Sequence, residues 1–272
     1  LKILTLNTHA WMETDQLGKI ERLASFITDQ QFDVIALQEV NQSKEEKALS
    51  ATALERFIYA EPETVVRQDN YAFVLLQKLG IPYYWTWIPV HTGFIKYDEG
   101  LAILTRTPAT AAFSEYVSVT RDYENYRTRK IVGVKAEVGG EESWFVCGHF
   151  GWWNDEEELF RGQWDAAQAK LDTLKELPVF IMGDFNNVAE IRDEGYDYVV
   201  QQGWHDLYAS ASVKDDGATV TKAIKGWDDN KGKLRIDYIF SSRPLQAKSC
   251  LVVLNGIRGA VVSDHFGVAA EL

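Results

Sequence analysis

Strand-length apolar runs recur along the chain, and six of them carry a carboxylate, an amide or an imidazole near one end. LTLN stops at Asn7, ALQEV holds Glu39, and FVCGHF closes on His149. FIMGDFN runs out into Asp184 and Asn186, RIDYIF contains Asp237, and VVSDHF places Asp264 and His265 just before the last run. One polar residue at a strand end satisfies a turn. Six of them exceed what turns need, so the fold must let strand ends remote in sequence share a pocket.

The pattern between these runs sets the architecture. Residues 15–30 carry Leu17, Ile20, Leu23, Ala24 and Ile27 at helical spacing, with Thr14 or Asp15 as the cap. Asn70 caps a second helix running to about Leu79, which Gly80 and Pro82 stop. YYWTWI and the runs at 99–106, 111–119, 129–138 and 143–150 follow as strands with no helix between them, which implies antiparallel pairing. A long helix is predicted over 155–177, its acidic first turn from Asp155 to Glu158 matched to the helix dipole. Strands at 1–8, 32–40, 178–185, 234–240, 249–254 and 266–272 complete an α/β sandwich, expected as one domain over residues 1–272.

Composition narrows the partners. The 272 residues are 46% hydrophobic, enough for a substantial core. A formal charge of -12, from 28 basic and 40 acidic residues, opposes binding to a long polyanion. The densest basic stretch, Arg121, Arg127, Arg129 and Lys130, is interrupted by Asp122 and Glu124. No apolar run approaches the ~20 residues of a membrane span. The start, LKILTLNTHAW, lacks the zones of a signal peptide. Cys147 and Cys250 lie far apart and suggest no disulfide framework, so a reducing cytoplasm is the expected location. The polar residues at the strand ends are mostly hard oxygen donors, which suit Mg²⁺ or Mn²⁺ far better than Zn²⁺.

The ordered series LNTHAW, ALQEV, GHF, GDFN, RIDYIF, SDHF resembles the endonuclease/exonuclease/phosphatase superfamily of metal-dependent phosphoesterases, over essentially the whole chain. That superfamily includes deoxyribonucleases, abasic-site endonucleases, inositol-phosphate phosphatases and sphingomyelinases. KYDEGLAILTR is closer to its sphingomyelinase and small-substrate branches. With YYWTWIP and the Trp pair after His149, the chain most resembles maltose 6'-phosphate phosphatases of lactic-acid-type bacteria.

The resemblance implies a four-layer α/β sandwich, two mixed β-sheets face to face with helices outside, and a site at one end of the sheets. It implies Glu39 as principal metal ligand, with Asn7 beside it and Asp264 holding the metal or its water. Asp184 would deprotonate the attacking water, and Asn186 would hold that water or a phosphate oxygen. His265 would contact the phosphate while Asp237 accepts from its other nitrogen. His149 would stabilise transition-state charge or assist the leaving oxygen.

Substrate residues are less defined. Trp152 and Trp153 follow His149, Trp227 sits in a polar loop, and Arg129, Arg161, Lys222 and Lys225 are of the right type to hold a phosphate. Of these Trp152, Trp153 and Arg129 are taken as the substrate-binding set. His9, His91 and His205 have no motif partner and read as structural. Glu99 reads either as a site residue or as a strand start. The expected substrate is a small phosphorylated sugar. The alternatives are a sphingomyelinase-type diesterase, for which YYWTWIP would be the membrane hairpin, a nuclease, and a non-catalytic binding module.

Overall fold

Ile3 and Leu4, adjacent in the first strand, are both buried, and each joins a different core. Neighbouring side chains of a strand point to opposite faces, so this strand must be covered on both sides. That condition holds across the computed structural model, which describes residues 1–272. In chain order the elements are β1 (Lys2–Asn7), α1 (Gln16–Gln30), β2 (Val34–Ser43), α2 (Tyr71–Leu76), β3 (Tyr84–Gly93), β4 (Tyr97–Thr105) and β5 (Ala109–Tyr116). They continue as β6 (Lys130–Val138), β7 (Glu141–His149), α3 (Phe160–Asp172), β8 (Val179–Asp184), α4 (Gly195–Gln201), β9 (His205–Asp206) and α5 (Leu207–Ser210). The last are β10 (Val213–Lys214), β11 (Asp237–Ser241), β12 (Ser249–Val253) and β13 (Gly267–Glu271).

The strands form a seven-stranded sheet, β10-β12-β13-β1-β2-β4-β3, and a six-stranded sheet, β5-β6-β7-β8-β11-β9. Ile3, Val34 and Ile103 of the first meet Val132, Phe145 and Met182 of the second in the central core. Helix α1 covers the outer face of the first sheet through Ile20, Leu23, Ala24 and Ile27 against Leu4, Leu37 and Leu104. Helix α3 covers the second through Phe160, Trp164, Ala167 and Leu171 against Val146, Ile181 and Phe240. The result is the expected four-layer α/β sandwich. No helix is long and apolar enough to cross a membrane.

Each sheet contains one central parallel pair bridged by a helix: β1 with β2 across α1, and β7 with β8 across α3. Parallel neighbours require such a crossover. Strand β13 runs antiparallel to β1, and β11 antiparallel to β8, so each begins where its partner ends. The carboxyl ends holding Asn7, His149 and Asp184 therefore lie beside the amino ends of β11 and β13, where Asp237 and His265 stand. This topology is why six sequence runs converge.

Several elements differ from expectation. Leu17 is 58% exposed rather than on the buried face of α1, and Asp15 makes no cap bond but pairs with Arg22 at 3.0 Å. Helix α3 starts at Phe160 and ends at Asp172 instead of spanning 155–177. The acids ahead of it are used otherwise: Asp155 accepts from the amides of Glu157 and Glu158 and pairs with Arg127, while Glu158 accepts from the amides of Val119 and Thr120. Asn70 does cap α2, accepting from Ala72 and Phe73, but that helix stops at Leu76. YYWTWIP, from its second residue Tyr84 onward, belongs to β3, with Trp85 and Trp87 buried under the first sheet's outer layer. It is not a membrane hairpin.

Two backbone irregularities shape the end of the sandwich. The β2–β4 register shifts between Leu37 and Val40, and Glu39 in that bulge has φ 50°. A bulge re-aims a side chain out of strand alternation. Gly183, at φ 145°, pairs with Gly148, and a Cβ there would lie 1.9 Å from the Gly148 carbonyl oxygen. Gly183→Ala is accordingly expected to separate β7 from β8 at the site and to lower unfolding stability by about 3 kcal/mol or more. Urea denaturation checks this; a variant within 0.5 kcal/mol of the parent, about the usual surface scatter, would refute it.

Candidate active site

A cavity of about 330 Å³ opens at this end of the sheets. Its walls include Glu39, Glu99, Arg129, His149, Asp184, Asn186, Asp264 and His265. Beneath them Asn7 ties the two sheets together. Its side-chain amide nitrogen donates to Glu39 Oε1 at 2.9 Å and to Asp184 Oδ2 at 3.1 Å. Its Oδ1 accepts from the His9 amide at 3.2 Å, which fixes the amide's orientation. Ser263 Oγ in turn donates to the Asn7 carbonyl at 2.7 Å, docking the 263–265 turn against β1. In this orientation Asn7 aligns two carboxylates through its nitrogen while its oxygen meets the His9 amide.

Asp184 is the hub. Its Oδ1 accepts from the Asn186 amide at 2.9 Å, and its Oδ2 lies 3.6 Å from both His149 Nε2 and His265 Nε2. Asn186, at φ 49°, turns the chain so that its side chain returns to the same pocket. Its Nδ2 reaches the Phe150 carbonyl at 2.9 Å and His149 Nε2 at 3.2 Å. Its Oδ1 accepts from the Trp227 indole at 3.1 Å. Trp227 was legible only as a loop residue able to line a pocket; the structure makes it the clamp on Asn186.

Burial, then the neighbouring Asp237, pushes the Asp184 carboxyl up to about 7. Burial also opposes charge on His265, but Asp237 and Asp184 outweigh it and raise the imidazole to about 10. His265 Nδ1 donates to Asp237 Oδ2 at 3.0 Å. His149 is held well below its usual range by burial and by Arg129, so it is a neutral imidazole. Burial, then Glu99 and Asp264, raises the Glu39 carboxyl. Burial likewise raises Glu99.

This crowding bears on metal binding. Three acids, Glu39, Glu99 and Asp264, face one cavity, and an oxygen-rich donor set of this kind fits a hard divalent cation. Two groups of three residues hold ligand atoms within 4.8 Å of one another: His9, Glu13 and Asp264, and the buried Asp184, Asp237 and His265. Glu13 of the first already pairs with Lys19. The second is internally hydrogen-bonded through the imidazole.

Other assignments divide. Trp152 lines the cavity, packed where a Cβ on Gly226 would strike its ring. Trp153 does not; it packs on Phe160 and Tyr198 with the Arg161 guanidinium 5.3 Å over its ring, so both residues belong to the α3 surface. Lys225 reaches the cavity beside Phe94, whereas Lys222 is outside it. His9 and His91, expected to be structural, both line the cavity: His9 Nδ1 lies 2.7 Å from Glu13 and 3.6 Å from Asp264, and His91 Nε2 lies 3.3 Å from Glu99. Glu99 is thereby a wall residue. The pairing of His91 with Glu99 across β3 and β4 depends on a register shift after Pro89, which no sequence signal announces.

A model of the Endonuclease/Exonuclease/phosphatase family matches residues 12–265. An endonuclease/exonuclease/phosphatase family protein from Leptotrichia buccalis is 37% identical, covers 100% of this chain and 98% of its own, and superposes with a TM-score of 0.86. A mannosyl-6-phosphatase from Bacteroides thetaiotaomicron is 19% identical over 100% of this chain and 98% of its own, at TM-score 0.68. A truncated TDP2 from Caenorhabditis elegans is 18% identical over 99% of this chain and 96% of its own, at TM-score 0.60. The last two share the fold. No curated protein matches.

The His265–Asp237 pair makes a pH-dependent contribution to stability. Its folded pKa, about 10, exceeds the usual 6.5, so the contribution is complete below pH 6.5 and is lost as pH rises to 10. In chelator, His265→Leu is expected to cost about 3–5 kcal/mol at pH 6.5, with the deficit shrinking towards pH 10. Urea denaturation at both pH values reads this, and a deficit independent of pH would contradict the pairing.

Proposed function

The chain belongs to the Endonuclease/Exonuclease/phosphatase family, and on that footing we propose that it is a phosphatase releasing phosphate from a small phosphorylated sugar, such as maltose 6'-phosphate. Members of this family are metal-dependent phosphoester hydrolases. The observation that carries the reading is the Asn7 amide, which holds the carboxylates of Glu39 and Asp184 in one site from two different sheets.

Glu39 and Asp264 are the proposed metal-holding carboxylates, with Glu99 adding to the negative field and Asn7 orienting Glu39. A bound Mg²⁺ or Mn²⁺ would neutralise phosphoryl charge and position the ester. The protein's own groups perform the proton transfers. Asp184, with a pKa near 7, is suited to accept a proton from water at neutral pH. The Asn186 amide holds one of its oxygens and the Asn7 side-chain amide the other, so the carboxylate is fixed in the cavity wall with a lone pair of each oxygen still free to accept. As the water oxygen bonds to phosphorus, the phosphorus–oxygen bond to the sugar breaks, the ester oxygen leaves with the sugar and takes up a proton from solvent, and Asp184 returns the proton it accepted to solvent. His265, kept cationic by Asp237, balances the charge on the phosphoryl oxygens. Neutral His149 offers a hydrogen bond to the phosphoryl group or to the leaving oxygen.

Support for a small substrate comes from the 330 Å³ cavity, whose wall includes the aromatic rings of Phe94, Tyr126 and Trp152. The net charge of -12 favours neither a duplex nor an anionic surface. The buried position of YYWTWIP removes the feature that would have favoured a sphingomyelinase. The mannosyl-6-phosphatase named above is in keeping with a sugar phosphate.

A panel of sugar phosphates with Mg²⁺, run beside plasmid nicking and sphingomyelin cleavage, tests the proposal. Phosphate release from a sugar phosphate is expected, lost in excess EDTA and restored by Mg²⁺ or Mn²⁺. Diester cleavage without any phosphate release would overturn it. Asp184→Ala is expected to reduce kcat by about 10²–10⁴, the usual worth of a general base, with circular dichroism unchanged; an active variant would remove Asp184 from that role.

A further inference from the structure

Arg129 lines the cavity but takes no part in the hydrogen-bonded network of its carboxylates. It sits immediately before β6, whose amino end lies beside the carboxyl end of β7 and so beside His149. The residue is 4% exposed. Its backbone amide donates to Ser118 Oγ at 2.8 Å, but its side chain donates to nothing, and Nε is buried without a partner. It makes no ion pair, although Glu99, Asp184 and Glu39 are near enough to affect it electrostatically. The guanidinium faces the main cavity and also a small recess shared with His91, Glu99 and His149.

Such a group is costly. A guanidinium has five N–H donors in a fixed fork, stays charged, and matches phosphate oxygens two at a time. Buried charges are ordinarily paired. One left unpaired beside a catalytic hub is strain held for a ligand, and the ligand must be an anion with several acceptor oxygens. A phosphomonoester supplies about two negative charges and three peripheral oxygens, whereas a diester has one charge and two such oxygens. His265 and a metal ion can serve two oxygens, and the third is the one that distinguishes the substrates.

We propose that Arg129 is the monoester-selecting residue, its guanidinium receiving the third peripheral oxygen of a terminal phosphoryl group. This rests on the phosphatase reading and sharpens it, because it assigns the choice of monoester over diester to one side chain. It also makes Arg129 a residue whose removal relieves the free protein.

Two measurements test this. The first compares p-nitrophenyl phosphate with bis(p-nitrophenyl) phosphate, which share a leaving group. Arg129→Met is expected to lower kcat/KM for the monoester at least 100-fold and for the diester less than 5-fold, with Arg129→Lys between. The second needs no turnover. In chelator and without phosphate, Arg129→Met is expected to melt about 2 °C or more above the parent. Inorganic phosphate is expected to raise the Tm of the parent and not of the variant. Equal losses on both esters, or a lower Tm with the phosphate response intact, would overturn the assignment. If the parent cleaves neither ester yet shows an Arg129-dependent phosphate response, the anion site stands and the hydrolase reading falls.

Discussion

Everything at the catalytic end hangs on keeping several buried acids close together without an internal cation to neutralise each of them. Asn7 does most of this with one amide group. Its two N–H bonds go to Glu39 on its own sheet and Asp184 on the facing sheet. A charge-assisted bond of this kind is stronger than a neutral one, yet it does not cancel the burial and, after it, the repulsion that raise Glu39 and Asp184. The acids are therefore held in an arrangement that favours a metal and a proton, which is what phosphoester hydrolysis requires of its protein.

The two halves of the molecule solve this problem alike. In each, a helix carries the chain between two parallel central strands, so both strands end on the same side. An antiparallel neighbour then begins there. The hydrophobic layers that hold α1 and α3 in place are what fix the strand ends, so packing of Trp164 or Ile27, far from the chemistry, bears on where His149 and Glu39 stand. The central core does the same between the sheets, where a shift of either would break the Asn7 bridge.

The site also shows two kinds of polar residue with opposite energetic character. Asp237 and His265 stabilise each other within the protein. Arg129 has no such partner. Functional sites commonly contain groups that cost stability in the free state, and the contrast is between a buried charge paired within the fold and one that is not.

The sequence by itself determined the strand runs, a layered α/β sandwich and the identity of the polar residues at the strand ends, because each depends on local periodicity or on a short motif; the count of four layers came only through the family resemblance. It also determined the Asn70 cap, a matter of the four residues from Asn70 to Phe73. It misjudged α3, since Asp155 and Glu158 suit a helix start equally well as they suit the turn and the distant amides they bind. His9, His91 and Trp227 carry no motif, and Trp152 and Trp153 are identical in sequence terms though only one faces the cavity. Those distinctions were decided by the tertiary structure, through the bulge at Glu39, the register shift after Pro89 and the layer that α3 packs into. A contact between residues 177 positions apart, such as Asn7 with Asp184, exists only once two sheets have closed on each other.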